Sequence, residues 1–207
     1  MNKLIYYLFF FSLFSYSQKE LNQAKKIKDR IQKEACEKPF FISGSYYYSD
    51  IFLIKDNSNF YFKQNDNNQI LSELICDGEN MWNINYEYKE LTIYSLTEKE
   101  KKNCFFVEKI ASQIDELKIV ENLILIKSNN AWIIVEESYV DNTEDYKIGT
   151  YDLQELREEY DIIGNLNLHW IENSSTVYKH LSPGFNFKLN VDQFLQQNEE
   201  FEIIDFR

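Results

Sequence analysis

Two histidines, three cysteines and 34 acidic residues are the side chains of this chain with the plainest capacity for chemistry. His169 and His180, set on one extended strand, would stand about 36 Å apart. They could not share a metal ion, whose ligands must all lie within bonding distance of it. The pairs Glu136-Glu137 and Glu158-Glu159 invite comparison with the two carboxylates of a glycoside hydrolase. Among 34 acidic residues such neighbours arise by chance, and they read as solvated faces. Asp141, Asn142, Glu144 and Asp145 offer oxygen ligands but lack the glycine register of a calcium loop. No serine elbow, zinc-protease helix or phosphate loop occurs, and five glycines leave little material for one. No enzyme activity, metal or cofactor is expected.

The cysteines, Cys36, Cys76 and Cys104, show no CxxC pair and no metal-ligand spacing. At most one disulfide can form. The commoner pattern is three separate buried thiols acting as small hydrophobes, and Cys36 with Cys104 is the pair to expect if there is one.

Fifteen Tyr, sixteen Phe and three Trp are a more distinctive resource than any titratable group. Residues 51–54 and 60–62 are apolar at consecutive positions instead of alternating, so both faces of a sheet built from them carry hydrophobic side chains. One face can pack on its own core, and the other needs a cover or a ligand.

The elements that position these residues follow from pattern. The first seventeen residues combine Lys3, an apolar run from Leu4 to Phe14, and a small-x-small site at Ser15-Tyr16-Ser17. They read as an export signal cleaved between Ser17 and Gln18, and the run is too short for a membrane span. With residues 1–17 removed, 21 basic residues face 34 acidic ones, a formal charge of −13. Such a charge argues against nucleic-acid partners. Leu21, Ala24, Ile27, Ile31 and Ala35 predict an amphipathic helix over 19–36, with its lysines and arginine on the wet face. Beyond Pro39, strands are predicted at 41–48, 51–55, 59–63, 70–76, 81–85 and 91–95. Asn57-Ser58, Asp66-Asn67-Asn68 and Asp77-Gly78 supply turns between them. A short apolar helix is expected over 104–114, then strands at 123–126 and 132–135. Farther on, 152–160 reads as a helix, 166–171 as a strand and 191–197 as a helical turn. Nothing suggests a boundary within 18–207, which is read as one domain.

Several segments in order resemble the LolA-type family of outer-membrane lipoprotein carriers. IFLIKDNSNFYF (residues 51–62) and ELICDGENMWNI (73–84) are similar to its early strand pair and following hairpin. FNFKLNVDQF (185–194) and FEIIDFR (201–207) are similar to its closing segments. The likeness covers residues 18–95, extends to 104–114 and 185–207, and is faint over 138–184. Lys55 is followed by Asp56 where the family often has a basic residue.

The resemblance implies an α+β, mainly β fold: a curved, half-open antiparallel sheet with helices covering its concave face. It implies a monomeric periplasmic carrier that binds the acyl chains of lipoproteins, or another lipid, received from an inner-membrane exporter and passed toward the outer membrane. Strand parity and the resemblance together make Phe52, Ile54, Phe60, Phe62, Trp82 and Ile84 the cavity walls, with Phe106 and Ile110 in the lid. The alternative is a non-catalytic cell-envelope module that uses the same fold to bind a protein.

Overall fold

A computed structural model of the chain describes residues 22, 24–102, 104, 107–108, 111–120, 123–128, 130–139, 156, 159–171, 181 and 185–207. A helix, α1, runs over residues 24–37. Six strands follow as an up-and-down meander: β1 (Phe40–Tyr46), β2 (Ser49–Asp56), β3 (Asn59–Asp66), β4 (Gln69–Cys76), β5 (Asn80–Asn85) and β6 (Glu90–Ser95). Then come β7 (Glu116–Val120), β8 (Leu123–Ser128), β9 (Ala131–Tyr139), β10 (Ile162–Trp170), the short helix α2 (Val191–Gln197) and β11 (Glu202–Asp205).

Turn chemistry sets the meander. Asn67 and Asn68 both take positive φ, 48° and 65°, as a two-residue type I′ hairpin requires. Asp77 accepts the backbone N–H groups of Glu79 and Asn80 at 2.9 and 2.7 Å, turning the chain from β4 into β5. In α1, Ala24 and Ala35 are buried, and Ile27 and Ile31 lie on the same stripe.

All eleven strands join one sheet in the order β11-β6-β5-β4-β3-β2-β1-β10-β9-β8-β7. Two pairs, β9–β10 and β6–β11, are parallel. At the β1–β10 pairing the backbones approach closely. A methyl group on Gly44, whose φ is 148°, would stand 2.1 Å from the Asn165 carbonyl oxygen.

This architecture corrects the expected half-open antiparallel sheet with helices over its concave face. The sheet is mixed, and the helices among the described residues are α1 and α2, with further helical bonding from Cys104 to Ser112 and from Leu156 to Tyr160. The reason is one of size. Eleven strands span about 50 Å at ~4.8 Å per neighbour, whereas a 14-residue helix is about 21 Å long, and the seven-residue α2 contributes no fully buried side chain. Extended chain does much of the covering instead. Phe185, Phe187, Leu189 and Phe201 pack on the sheet beside α2.

Residues paired across strands share a face, so the register sorts the core. One face carries Phe41, Ile54, Tyr61, Ile75, Trp82 and Ile93 in a single cross-strand row. The opposite face carries the row Trp170, Phe40, Lys55, Phe60, Cys76, Met81 and Tyr94. We call these the Trp82 face and the Phe60 face.

Candidate functional site

The six described residues expected to wall one cavity are divided between the two faces. Ile54, Trp82 and Ile84 are buried on the Trp82 face, with Phe52 packed against them. Phe60 is buried on the other face with Cys76, Met81 and Leu96. Phe62 lies on that same face, paired with Leu53 and Leu74. Phe106 and Ile110 lie outside the described residues. The division comes from the Asn57-Ser58 turn: a two-residue loop pairs Ile54 with Tyr61 and Lys55 with Phe60, so even positions of β2 share a face with odd positions of β3.

The centre of the Trp82 face is filled by the protein's own side chains, with Phe41 and Phe52 partly buried at its margin. Ile54, Ile84 and Leu91 are at most 1 % exposed, and Leu181, Phe187 and Phe201 complete the cluster. Its polar margin is a carboxylate shared by two phenols. Tyr61 donates to Glu73 Oε1, and Tyr86 donates to Glu73 Oε2 at 2.6 Å. Burial, reinforced by those bonds, holds both phenols well above the ordinary tyrosine range. Neither is poised as a nucleophile or base.

The Phe60 face is built differently. Over its β8–β1 part, α1 packs Ile27, Ile31 and Ala35 onto Phe40, Leu168 and Trp170. Arg30 holds the helix there, with a two-pronged contact to Glu137 at 2.7 and 2.5 Å, and Trp170 Nε1 donates to the same carboxylate at 2.5 Å. A disulfide between Cys36 and Cys104 ties down the helix end. That pairing replaces the expectation of three separate thiols. Cys76 is the buried free cysteine, its thiol pushed up to about 11 by burial.

Lys55 lies between Phe40 of the α1-covered cluster and Phe60 of the next one. It is 5 % exposed, its Nζ is buried, and that nitrogen has no hydrogen-bond partner. Its nearest consolation is the Phe40 ring, with the centroid 6.0 Å away. Burial lowers the amine to about 8, opposed by the charge of Asp56. Asp56 points to the other face by strand alternation, and its Oδ1 accepts the Asn57 side-chain amide at 3.1 Å. Alongside this row runs a second one, Ile42, Leu53, Phe62 and Leu74, every member only partly buried.

Sequence reasoning passed over Lys55 because a lysine in a strand usually snorkels to water. Its two apolar neighbours become visible only once the β1–β2–β3 register is known. Of the other residues considered for chemistry, Glu137 is taken up by Arg30 and Trp170, and Glu136 accepts from Asn165 at 3.4 Å. His169 stacks on Phe41 with centroids 4.3 Å apart. His180, Glu158 and the 141–145 loop lie outside the described residues. Among the described residues, no group of three His, Cys, Asp or Glu side chains could hold a metal, and no helix is long and apolar enough to cross a membrane. A groove of about 430 Å³ beside the disulfide is lined by Asp29, Gln32, Lys33, Cys36, Glu37 and Cys104.

No protein-family model matches the chain, and no curated protein matches its sequence significantly.

Proposed function

We propose that the protein is a non-catalytic carrier at the cell envelope that holds acyl chains on the Phe60 face of its sheet. The observation that supports this reading is the row Ile42, Leu53, Phe62 and Leu74, a continuous apolar row across four strands whose every member is only partly buried. The resemblance to LolA-type carriers and the export signal read in residues 1–17 favour the periplasm as the place of work. They also favour lipoprotein acyl chains as cargo, passed from an inner-membrane exporter toward the outer membrane by a monomer. Each methylene moved from water to such a surface contributes about 0.8 kcal/mol, so a partly covered row holds a chain without trapping it.

The test is uptake of a fluorescent fatty acyl probe and of a diacylated lipopeptide by the purified protein. Saturable binding is expected. It should weaken at least about tenfold in Phe62→Glu, which sets a charge where a chain would lie, with the circular dichroism spectrum unchanged. Absence of saturable binding by the wild type to either probe would overturn the reading.

A second reading, a protein-binding module, is favoured by the edge strand β11. Ile203 in it and Phe206 just beyond it are 40 % and 70 % exposed, an apolar edge that a partner strand could extend. It predicts that Ile203→Lys abolishes function while acyl uptake is absent throughout.

A further inference from the structure

An ammonium placed in an apolar surface is costly unless it is paired, and the ordinary escape for lysine is to stretch its flexible stem until the charge meets water. Lys55 has not taken that escape: its Nζ is buried and makes no hydrogen bond. Strand alternation turns Asp56, the adjacent carboxylate, to the other face, where it is engaged with Asn57. The amine is also only partly compensated by the Phe40 ring. Burial lowers its proton affinity to about 8, which still leaves it mostly charged at neutral pH. The chain therefore keeps a cation with three donors and no acceptor, one row away from the partly buried apolar strip.

We propose that Lys55 Nζ pairs with the carboxylate of a fatty acid whose hydrocarbon tail lies along Ile42, Leu53, Phe62 and Leu74. Those four side chains cross three inter-strand spacings, about 14 Å, the reach of a medium to long fatty chain. The arrangement has two complementary parts, an apolar strip for the tail and a dry cation for the head. A neutral amphiphile of the same length would satisfy only the first. The chain is otherwise strongly acidic, with a formal charge of −12, so general surface attraction cannot supply the preference for an anion. The inference rests on the acyl-carrier reading and adds to it the chemical class of head group that the site selects.

The test compares dodecanoate with 1-dodecanol as competitors of a bound fluorescent acyl probe, in the wild type and in Lys55→Met, a neutral side chain of similar length. Wild type should bind dodecanoate at least about tenfold more tightly than dodecanol, as a charge-assisted hydrogen bond implies. Lys55→Met should keep its affinity for dodecanol and lose the preference. Equal binding of the two by the wild type, or a preference surviving in Lys55→Met, would overturn the role of Lys55 while leaving the carrier reading intact. Failure of both compounds to bind the wild type would overturn the two together. A diacylated lipopeptide included as a third competitor separates the cargo sources, since its affinity should be unaffected by Lys55→Met.

Discussion

The two faces of the sheet use the same strands and nearly the same residue types, yet they resolve their burial in opposite ways. On the Trp82 face the row from Phe41 to Ile93 is covered by extended chain from the C-terminal region, and its polar margin at Glu73 has both carboxylate oxygens bonded. On the Phe60 face an ammonium is buried without a partner, and the next row stays partly exposed. Trp82 Nε1 on the first face is likewise buried without a hydrogen-bond partner, but an unpaired neutral N–H costs far less than an unpaired ammonium, so the heavier polar cost lies on the Phe60 face. That difference, more than any motif, singles out the Phe60 face for test.

The sharpest way to break the comparison is to remove the centre of the Trp82 face. Trp82→Ala should destabilise the protein by about 3–5 kcal/mol, since a 2 %-exposed indole leaves a cavity that the sheet cannot close. Urea unfolding measures the loss, and acyl affinity per folded molecule should be unchanged. If affinity collapses with the protein still folded, the site is on the wrong face. Next in size is the disulfide that ties α1 down over the Phe60 face. Its ends are 68 residues apart in sequence, and replacing both cysteines by serine should cost about 4 kcal/mol at most by chain entropy. Thermal unfolding with and without reductant should show the same difference in the wild type and none in the double variant.

Lys55→Met sharpens the comparison from the opposite direction, by raising stability. Burial pushes the folded-state amine down to about 8, whereas in the unfolded chain it keeps lysine's ordinary value of 10.5. Between those values the unfolded chain binds more protons, so wild-type stability should rise as pH increases through that window. Below pH 8 both states are protonated and the full penalty remains. At neutral pH the substitution should therefore add about 1–3 kcal/mol. The difference between variant and wild type should shrink between pH 8 and 10.5. A difference that stays flat across that range would mean the amine is not buried in solution.

Much of the meander was legible because its turns are written in local chemistry. Asn57-Ser58, Asn67-Asn68 and Asp77-Gly78 mark the ends of β2 to β5 to within three residues of the expected strands. The 191–197 helix was legible too, capped by Asn190, which accepts from the Gln193 N–H at 3.1 Å. What local pattern could not supply was pairing. β7 alternates charged and apolar residues, Glu116-Leu117-Lys118-Ile119, over only five positions, and it passed unnoticed. The parallel β9–β10 and β6–β11 pairs join segments distant in sequence. The face assignment of Phe60 and Phe62 against Ile54 and Trp82 turned on a parity switch at one two-residue loop. Lys55 is the extreme case, since nothing about a lysine beside an aspartate announces a dry amine until its cross-strand neighbours are known.

The contact of Gly44 with Asn165 has a bearing on the order in which the molecule is assembled. β2 to β6 can zip together from one short turn to the next, but β1 meets β10 only after the chain between Phe40 and Trp170 has been gathered in. Closing so long a loop has an entropic cost that grows with length and slows folding. The two strands must then dock at a point where neither tolerates a side chain: Gly44 faces the Asn165 carbonyl, and a methyl group on Gly164 would stand 2.7 Å from that of Ser45. The row that contains Lys55 runs straight across this join, from Trp170 through Phe40. A chain still waiting for β10 has a finished meander that already carries Ile42, Leu53, Lys55, Phe62 and Leu74, but it lacks Leu168 and Trp170, on which α1 packs, so the seating of that helix arrives with β10.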